Sequence, residues 1–295
     1  MSSIAALSPT DFTPRRPLRS IVQIRRDGHE SELPKDRQSN NLTGTGCDSS
    51  KGIKVTLSDQ EKRGLLSFIG YGSPSAPLWF IGAEEGLGGK MLGDEERKNL
   101  RARGAWNEVM DLCAAHLTLT ESGAKIDIRE KRKGSIAVWL WMSRIARAFE
   151  GSRDWNEKER AREYVQTRLG RLNETKSPTT FLTELSPVPE KKTGEPKWLV
   201  ELRSGDEAHK LLAQREARIR ELLHSHGPKL VVCYGLRKKQ EFARLLNVDS
   251  WIEVAKGVLK APDKNVFLLP FFGQAQISEA LVSRLVSLPS FHVGP

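Results

Sequence analysis

The stretch Ala76–Lys90, APLWFIGAEEGLGGK, holds the clearest candidate for chemistry, because an apolar run stops at two adjacent carboxylates, Glu84 and Glu85, set among glycines. A carboxylate in such a loop can orient a water as a general base or stabilise a cationic transition state, and glycine lets backbone approach a ligand closely. The same stretch also fits a solvated turn, or a helix N-terminus whose dipole welcomes acid. Phosphate binding fits poorly. A P-loop ending at Lys90 needs glycine at 84 and serine or threonine at 91, where the chain has Glu84 and Met91. A dinucleotide fingerprint starting at Gly86 fails at the same Met91.

Two further stretches carry candidate groups. In TTFLTELSPVPEKK an apolar strand ends near Glu184 and runs into a loop with Lys191, Lys192 and Lys197, either a charged surface loop or a site wall whose lysines reach phosphates. In LLPFFGQAQIS, Phe271 and Phe272 precede Gly273 and Gln274. The two rings suit a stacking surface for a base, and equally a core that closes over a sheet. Arg132 and Lys133 sit in a basic stretch, REKRKG, between two helical patterns.

These groups need a frame. LSDQEKRGLLSFI places Ser58 three residues before Glu61, the pattern of a capping box, so a helix is expected to begin there. PLWFIG reads as a short buried strand after a turn in YGSPSA. RGAWNEVMDLCAAHL, SIAVWLWMSRIARAFE and NEKERAREYVQTRLGRL have helical length and periodicity, and TTFLTEL is the next strand. A long helix over DEAHKLLAQREARIRELLHSH precedes the strand KLVVCYG and the helix RKKQEFARLLN. WIEVAKG is a weaker strand candidate, and the strand NVFLLP and helix SEALVSRLVSL close the chain. Short apolar strands alternating with amphipathic helices predict a three-layer α/β/α fold around a small, mostly parallel sheet. Ligands of such sheets bind beyond the carboxyl ends of the strands, which directs attention to the loops after Ile81, Leu185, Tyr234 and Leu269.

Composition narrows the partners. The 295 residues carry a formal net charge of +10, which favours a polyanion such as nucleic acid or an anionic membrane surface. Residues 1–54 mix Ser, Pro, Asn and Arg and are expected to form a disordered basic tail, leaving 55–295 as the globular domain. That tail offers a possible docking segment for a protein partner. Cys47, Cys113 and Cys233 are too scattered for a disulfide framework or a metal site, so neither a metal nor a cofactor is expected. No signal-peptide pattern and no membrane-length apolar run is present, and the expectation is a cytoplasmic protein.

In the order of its elements the span from Leu57 to Leu288 resembles the uracil-DNA glycosylase-like superfamily. The first motif of that family, in forms such as GQDPY, GINPG or GEAPG, follows an apolar strand, where this chain has Gly82, Ala83, Glu84, Glu85 and Gly86. Glu84 then falls where the GQDPY form has its water-orienting aspartate, Ala83 where the GEAPG form has its acid, and Glu85 replaces the proline. Glu184 occupies the place of the asparagine that reads the flipped base. VFLLPFFGQAQIS lies where the family has its His-Pro-Ser motif, but the histidine is absent and Gln274 is the nearest polar residue.

The resemblance implies a DNA-binding, metal-independent hydrolase of N-glycosidic bonds acting in DNA repair. Glu84 and Gln274 would be its catalytic groups, and Gly82, Ala83, Gly86, Glu184, Phe271, Phe272 and Gly273 would surround the base. Lys191, Lys192, Lys197, Arg132 and Lys133 would meet the nucleic acid. An ionised Glu184 only accepts hydrogen bonds and suits a base presenting donors, such as guanine or the amino group of cytosine, better than uracil. The missing histidine implies a rate loss of about 10²–10³ for a lost donor to the departing base. The departures equally fit a catalytically silent module that binds nucleic acid or a nucleotide as a sensor.

Overall fold

Ser58 opens the first helix, α1 (Asp59–Ser67), through both halves of the expected capping box. Its Oγ accepts from the Glu61 N–H at 3.1 Å, and Glu61 Oε2 accepts from the Ser58 N–H at 2.7 Å. This helix begins the part of the chain that a computed structural model describes, residues 57–84, 94–123, 136–172, 178–188 and 197–292. The expected tail over 1–54 and the basic stretch REKRKG lie outside those residues.

Two strands follow, β1 (Gly70–Gly72) and β2 (Leu78–Glu84), the second continuing the apolar run past Gly82 into the candidate carboxylate. The periodicity of 103–117 predicts one helix there, but the chain forms α2 (Asp94–Gly104), a two-residue strand β3 (Val109–Met110) and α3 (Leu112–Glu121). Asp111 makes the break. Its Oδ1 caps α3 by accepting from the Ala114 N–H, while its Oδ2 accepts from the Leu172 N–H and pairs with Arg171. Helices α4 (Ala137–Phe149) and α5 (Lys158–Thr167) lead to β4 (Thr180–Ser186). A short α6 (Lys197–Arg203), outside the expected pattern, precedes α7 (Asp206–His226), which ends where Gly227 adopts φ 54° and donates to the Leu223 carbonyl. Then come β5 (Leu230–Tyr234), α8 (Lys239–Leu246), β6 (Ile252–Ala255), β7 (Val258–Lys260), β8 (Val266–Leu269) and α9 (Glu279–Val286).

The strands form one mixed, mostly parallel sheet in the order β3-β1-β4-β2-β5-β8-β7-β6. Its centre, β4-β2-β5-β8, is wholly parallel, whereas β1 runs against β4 and β7 against β8. At eight strands the sheet is larger than the small one expected. The extra strands β1, β3 and β7 have three, two and three residues, too few for alternation to show in a sequence.

Period-two alternation divides the central strands between two apolar layers. Phe80, Leu182, Val232, Tyr234, Phe267 and Leu269 join the core built with α3, α4, α5 and α9. Trp79, Ile81, Phe181, Val231, Cys233 and Leu268 join a second core with the C-terminal half of α7 and with α8. Helices on both faces force ligand access to the strand ends.

Candidate functional site

The parallel centre places a crevice where the strand order reverses. From β2 the chain moves to β4 on one side, then returns past β2 to β5 on the other. Open sheets bind ligands at the carboxyl ends of strands flanking such a reversal. Here those ends carry Glu84, Glu184 and Tyr234.

Register and alternation put the three on one face. Gly82 of β2 pairs with Glu184 of β4, and Gly82, Glu84, Glu184 and Tyr234 all fall on the side of Phe80, Leu182 and Val232. The Tyr234 ring stacks on Phe272 with centroids 4.5 Å apart and planes inclined by 14°, and its Oη donates to Glu184 Oε1 at 2.6 Å. Gly82 makes room for this pair, since a Cβ there would overlap both Glu184 Oε2 and Tyr234 Oη. The glycine of the GAE stretch is thus demanded by the carboxylate of the neighbouring strand.

Above the pair lies a cavity of about 150 Å³. Glu84 and Glu184 supply carboxylates to its wall, and Tyr71, Trp139, Tyr234 and Phe271 supply rings. Two guanidinium groups also line it. Arg215, buried in α7, donates from Nε to the Phe68 carbonyl at 2.6 Å, from Nη1 to the Leu185 carbonyl at 3.1 Å and from Nη2 to the Ile69 carbonyl at 3.3 Å, which ties the start of β1 to the end of β4. Arg103, buried at the end of α2, lies 5.5 Å from the centre of the Trp106 ring.

His116 of α3 completes this wall. Its Nδ1 lies 2.9 Å from the Leu112 carbonyl, which can only accept, so Nδ1 carries the hydrogen and Nε2 of the neutral ring is an acceptor. Burial pushes its pKa down to about 4, opposed by the Leu112 hydrogen bond and helped by the Arg103 charge. The ring meets Trp139 edge to face at 4.7 Å.

The structure therefore brings Glu84, Glu184 and Phe271 to one cavity. Phe272 lies elsewhere, 1% exposed in the core between Tyr234 and Phe80, and Gly273 is buried beside the Phe271 ring. Gln274 is exposed, in a left-handed conformation at φ 55°, and does not line the cavity. Ala83 points to the opposite face of the sheet, into a cleft with Lys238 and Arg244. Gly86, Lys191, Lys192, Arg132 and Lys133 lie outside the described residues, as does the side chain of Lys197, whose backbone begins α6.

Sequence reasoning missed Tyr234, His116, Arg103, Tyr71 and Trp139. Tyr234 ends an apolar strand and His116 interrupts an apolar helix face, and both patterns are equally those of ordinary core residues. Among the described residues no cluster of His, Cys, Asp and Glu suits a metal ion, and Cys113 and Cys233 are buried free thiols. No helix among them is long and apolar enough to cross a membrane. Comparison with known proteins finds no family model, no curated protein and no solved structure that matches this chain.

Proposed function

We propose that the chain holds a nucleobase turned out of a nucleic acid strand and hydrolyses its N-glycosidic bond, in the manner of the uracil-DNA glycosylase-like superfamily. One observation carries the proposal: at the reversal point of the sheet, a cavity of about 150 Å³ gathers two carboxylates and several aromatic rings. A dry cavity of about 150 Å³ accepts one benzene-sized ring, so a single-ring base fits. Aromatic walls suit a base's π-face, and stacking is worth about 1–3 kcal/mol per base. The parallel centre of the sheet, helices on both its faces, and the first candidate motif at the end of β2 agree with that family's arrangement.

The polar groups favour a base that presents donors. Glu184 accepts hydrogen bonds, and so does Nε2 of the neutral His116. A cytosine-type base offers two donors on its exocyclic amine, whereas uracil offers one, its N3–H, flanked by two carbonyl oxygens that such a site does not pair.

For hydrolysis, Glu84 holds a water and takes its proton as the water oxygen bonds to C1′ of the sugar. The C1′–N bond breaks, its electron pair leaves with the base, the base takes up a proton from solvent water, and Glu84 returns its own proton to solvent. Glu84 also offsets the positive charge that develops on the sugar, and the Arg103 guanidinium in the cavity wall offsets the charge on the departing base.

The test is product formation. Purified protein is incubated with single- and double-stranded oligonucleotides carrying uracil, hypoxanthine, xanthine, methylated bases or cytosine derivatives, and abasic sites are counted. Glu84→Gln is expected to abolish turnover and leave affinity intact. Abasic product from no substrate, with the fold intact, refutes the enzymatic proposal. The neutral His116 and the outlying Gln274 leave the departing base without the family's histidine donor, and they favour a second reading, a silent base-binding module. That module binds oligonucleotides in a salt-dependent way, yields no product, and its binding survives Glu84→Gln.

A further inference from the structure

Resting on the hydrolytic reading above, we propose that Glu184 is also the acid of the reaction. It passes a proton to the ring nitrogen beside the exocyclic amine of a cytosine-type base, which then departs neutral. The carrying observation is a pair of carboxyl groups, Glu84 and Glu184, in the wall of one cavity of about 150 Å³. Gly82 of β2 pairs with Glu184 of β4, so Glu84 stands two residues further along the neighbouring strand. Ordinary strand rise and spacing then set the two Cα atoms about 8 Å apart. One carboxyl serves the sugar while the other meets the far edge of the base.

The edge of the base itself demands the proton. Glu184 accepts from the exocyclic amine, and the ring nitrogen next to that amine carries a lone pair. An ionised carboxylate laid along that edge sets one acceptor against another. In a cavity shielded from water that arrangement is unfavourable unless a proton lies between them. Two carboxyl groups sharing a small site also disfavour double ionisation, which eases the entry of one proton with the base. The Tyr234 phenol, donating to Glu184 Oε1 at 2.6 Å, and Gly82, whose missing Cβ leaves room for Oε2, fix the carboxyl that receives it.

Among the described residues of the wall, no other group is suited to deliver that proton. Arg103 and Arg215 keep theirs, because a guanidinium is not deprotonated in a protein. His116 is neutral, with its one hydrogen on Nδ1 directed at the Leu112 carbonyl. The Tyr234 hydrogen lies on Glu184, and Tyr71 is a phenol, a far weaker acid than a carboxyl group. Glu84 is engaged with the water. On binding, one proton from solvent comes to lie between Glu184 and the ring nitrogen. As the water oxygen bonds to C1′ and Glu84 takes its proton, the C1′–N bond breaks and its electron pair passes into a ring that already holds the extra proton. The base leaves neutral, Glu184 is again a carboxylate, and Glu84 returns its proton to solvent. Uracil already has a hydrogen on that nitrogen, so this acid distinguishes the amine-bearing class.

The experiment uses the full chain and oligonucleotides carrying a single cytosine or 5-methylcytosine, the 3-deaza analogue of cytosine with carbon in place of the ring nitrogen, and a 2′-fluoro version that resists cleavage. Calorimetry of the 2′-fluoro oligonucleotide in two buffers of different ionisation enthalpy is expected to show about one proton taken up on binding. Glu184→Gln keeps an amide that pairs with the same edge of the base. It is expected to bind within about threefold of the parent, to take up no proton and to lose about 10²–10⁴ in rate. The parent's rate falls as the pH rises and the proton is lost, and the variant's residual rate does not. The 3-deaza oligonucleotide is expected to be cleaved more slowly by the same factor, a comparison that, like the parent's proton uptake, needs no variant. Proton uptake that persists in Glu184→Gln, or a variant with the parent's rate and pH profile, overturns the proposal while hydrolysis stands. Abasic sites formed only from uracil, or from another base lacking that lone pair, do the same. No product from any oligonucleotide overturns the hydrolytic reading and this acid with it.

Discussion

Tyr234→Phe removes one oxygen from the candidate site and leaves the ring stack on Phe272, so it isolates the bond that holds Glu184. That bond runs from a phenol whose residue is 1% exposed to a carboxylate oxygen 2.6 Å away. A hydrogen bond to a charged group contributes about 1.5–3 kcal/mol. The expected loss of stability is therefore about 2 kcal/mol. In urea it lowers the midpoint with the m-value unchanged, and on heating it lowers Tm by about 4–8 °C for a domain of this size. Glu184→Gln and the double variant complete a cycle, in which a coupling of at least about 1 kcal/mol is expected between residues in direct contact. A Tyr234→Phe protein within about 0.5 kcal/mol of the parent, or a coupling near zero, would show that the phenol does not position Glu184. The account of Gly82 as the space-maker for that pair would then fall with it.

Three further outcomes follow from the same geometry. Gly82→Ala drives a Cβ into Glu184 Oε2 and Tyr234 Oη, and is expected to cost about 1–3 kcal/mol in thermal unfolding; an unchanged Tm refutes the close approach. The folded protein binds a proton at His116 with a pKa of about 4 against 6.5 when unfolded, so unfolding takes up a proton between those values. Stability is full above pH 6.5 and falls by about 3 kcal/mol as the pH drops towards 4, and a parent and a His116→Gln variant with parallel pH profiles would contradict this. Arg215→Met withdraws a charged donor group from three backbone carbonyls and is expected to cost about 3 kcal/mol in urea unfolding, and a cost under about 1 kcal/mol would deny it the role of tying β1 to β4.

The chain's own pattern was enough wherever the deciding interactions are local. The capping box at Ser58 and Glu61 spans only four residues, and α7 runs over the span its periodicity marks, to the glycine that ends it. Apolar runs identified β2, β4, β5 and β8 because strands buried on both faces leave little room for polar residues. The same logic placed Glu84 and Glu184 at strand ends, where open α/β sheets bind their ligands.

What only the tertiary structure decided depends on contacts between distant residues. The stretch 103–117 has a helix's spacing, yet Asp111 breaks it by bonding to Leu172 and Arg171 some sixty positions on, a partnership invisible in a local window. Gly82 reads as a loop glycine until Glu184 and Tyr234 are seen against it. Phe271 and Phe272 are adjacent and chemically identical, and only the path of the chain beyond β8 sends one to the cavity wall and the other into the core. His116 and Trp139 reach the site from helices that cover the sheet, and Arg103 from the end of α2. Periodicity fixes which face of an element is apolar, but packing alone fixes which polar groups on those faces meet.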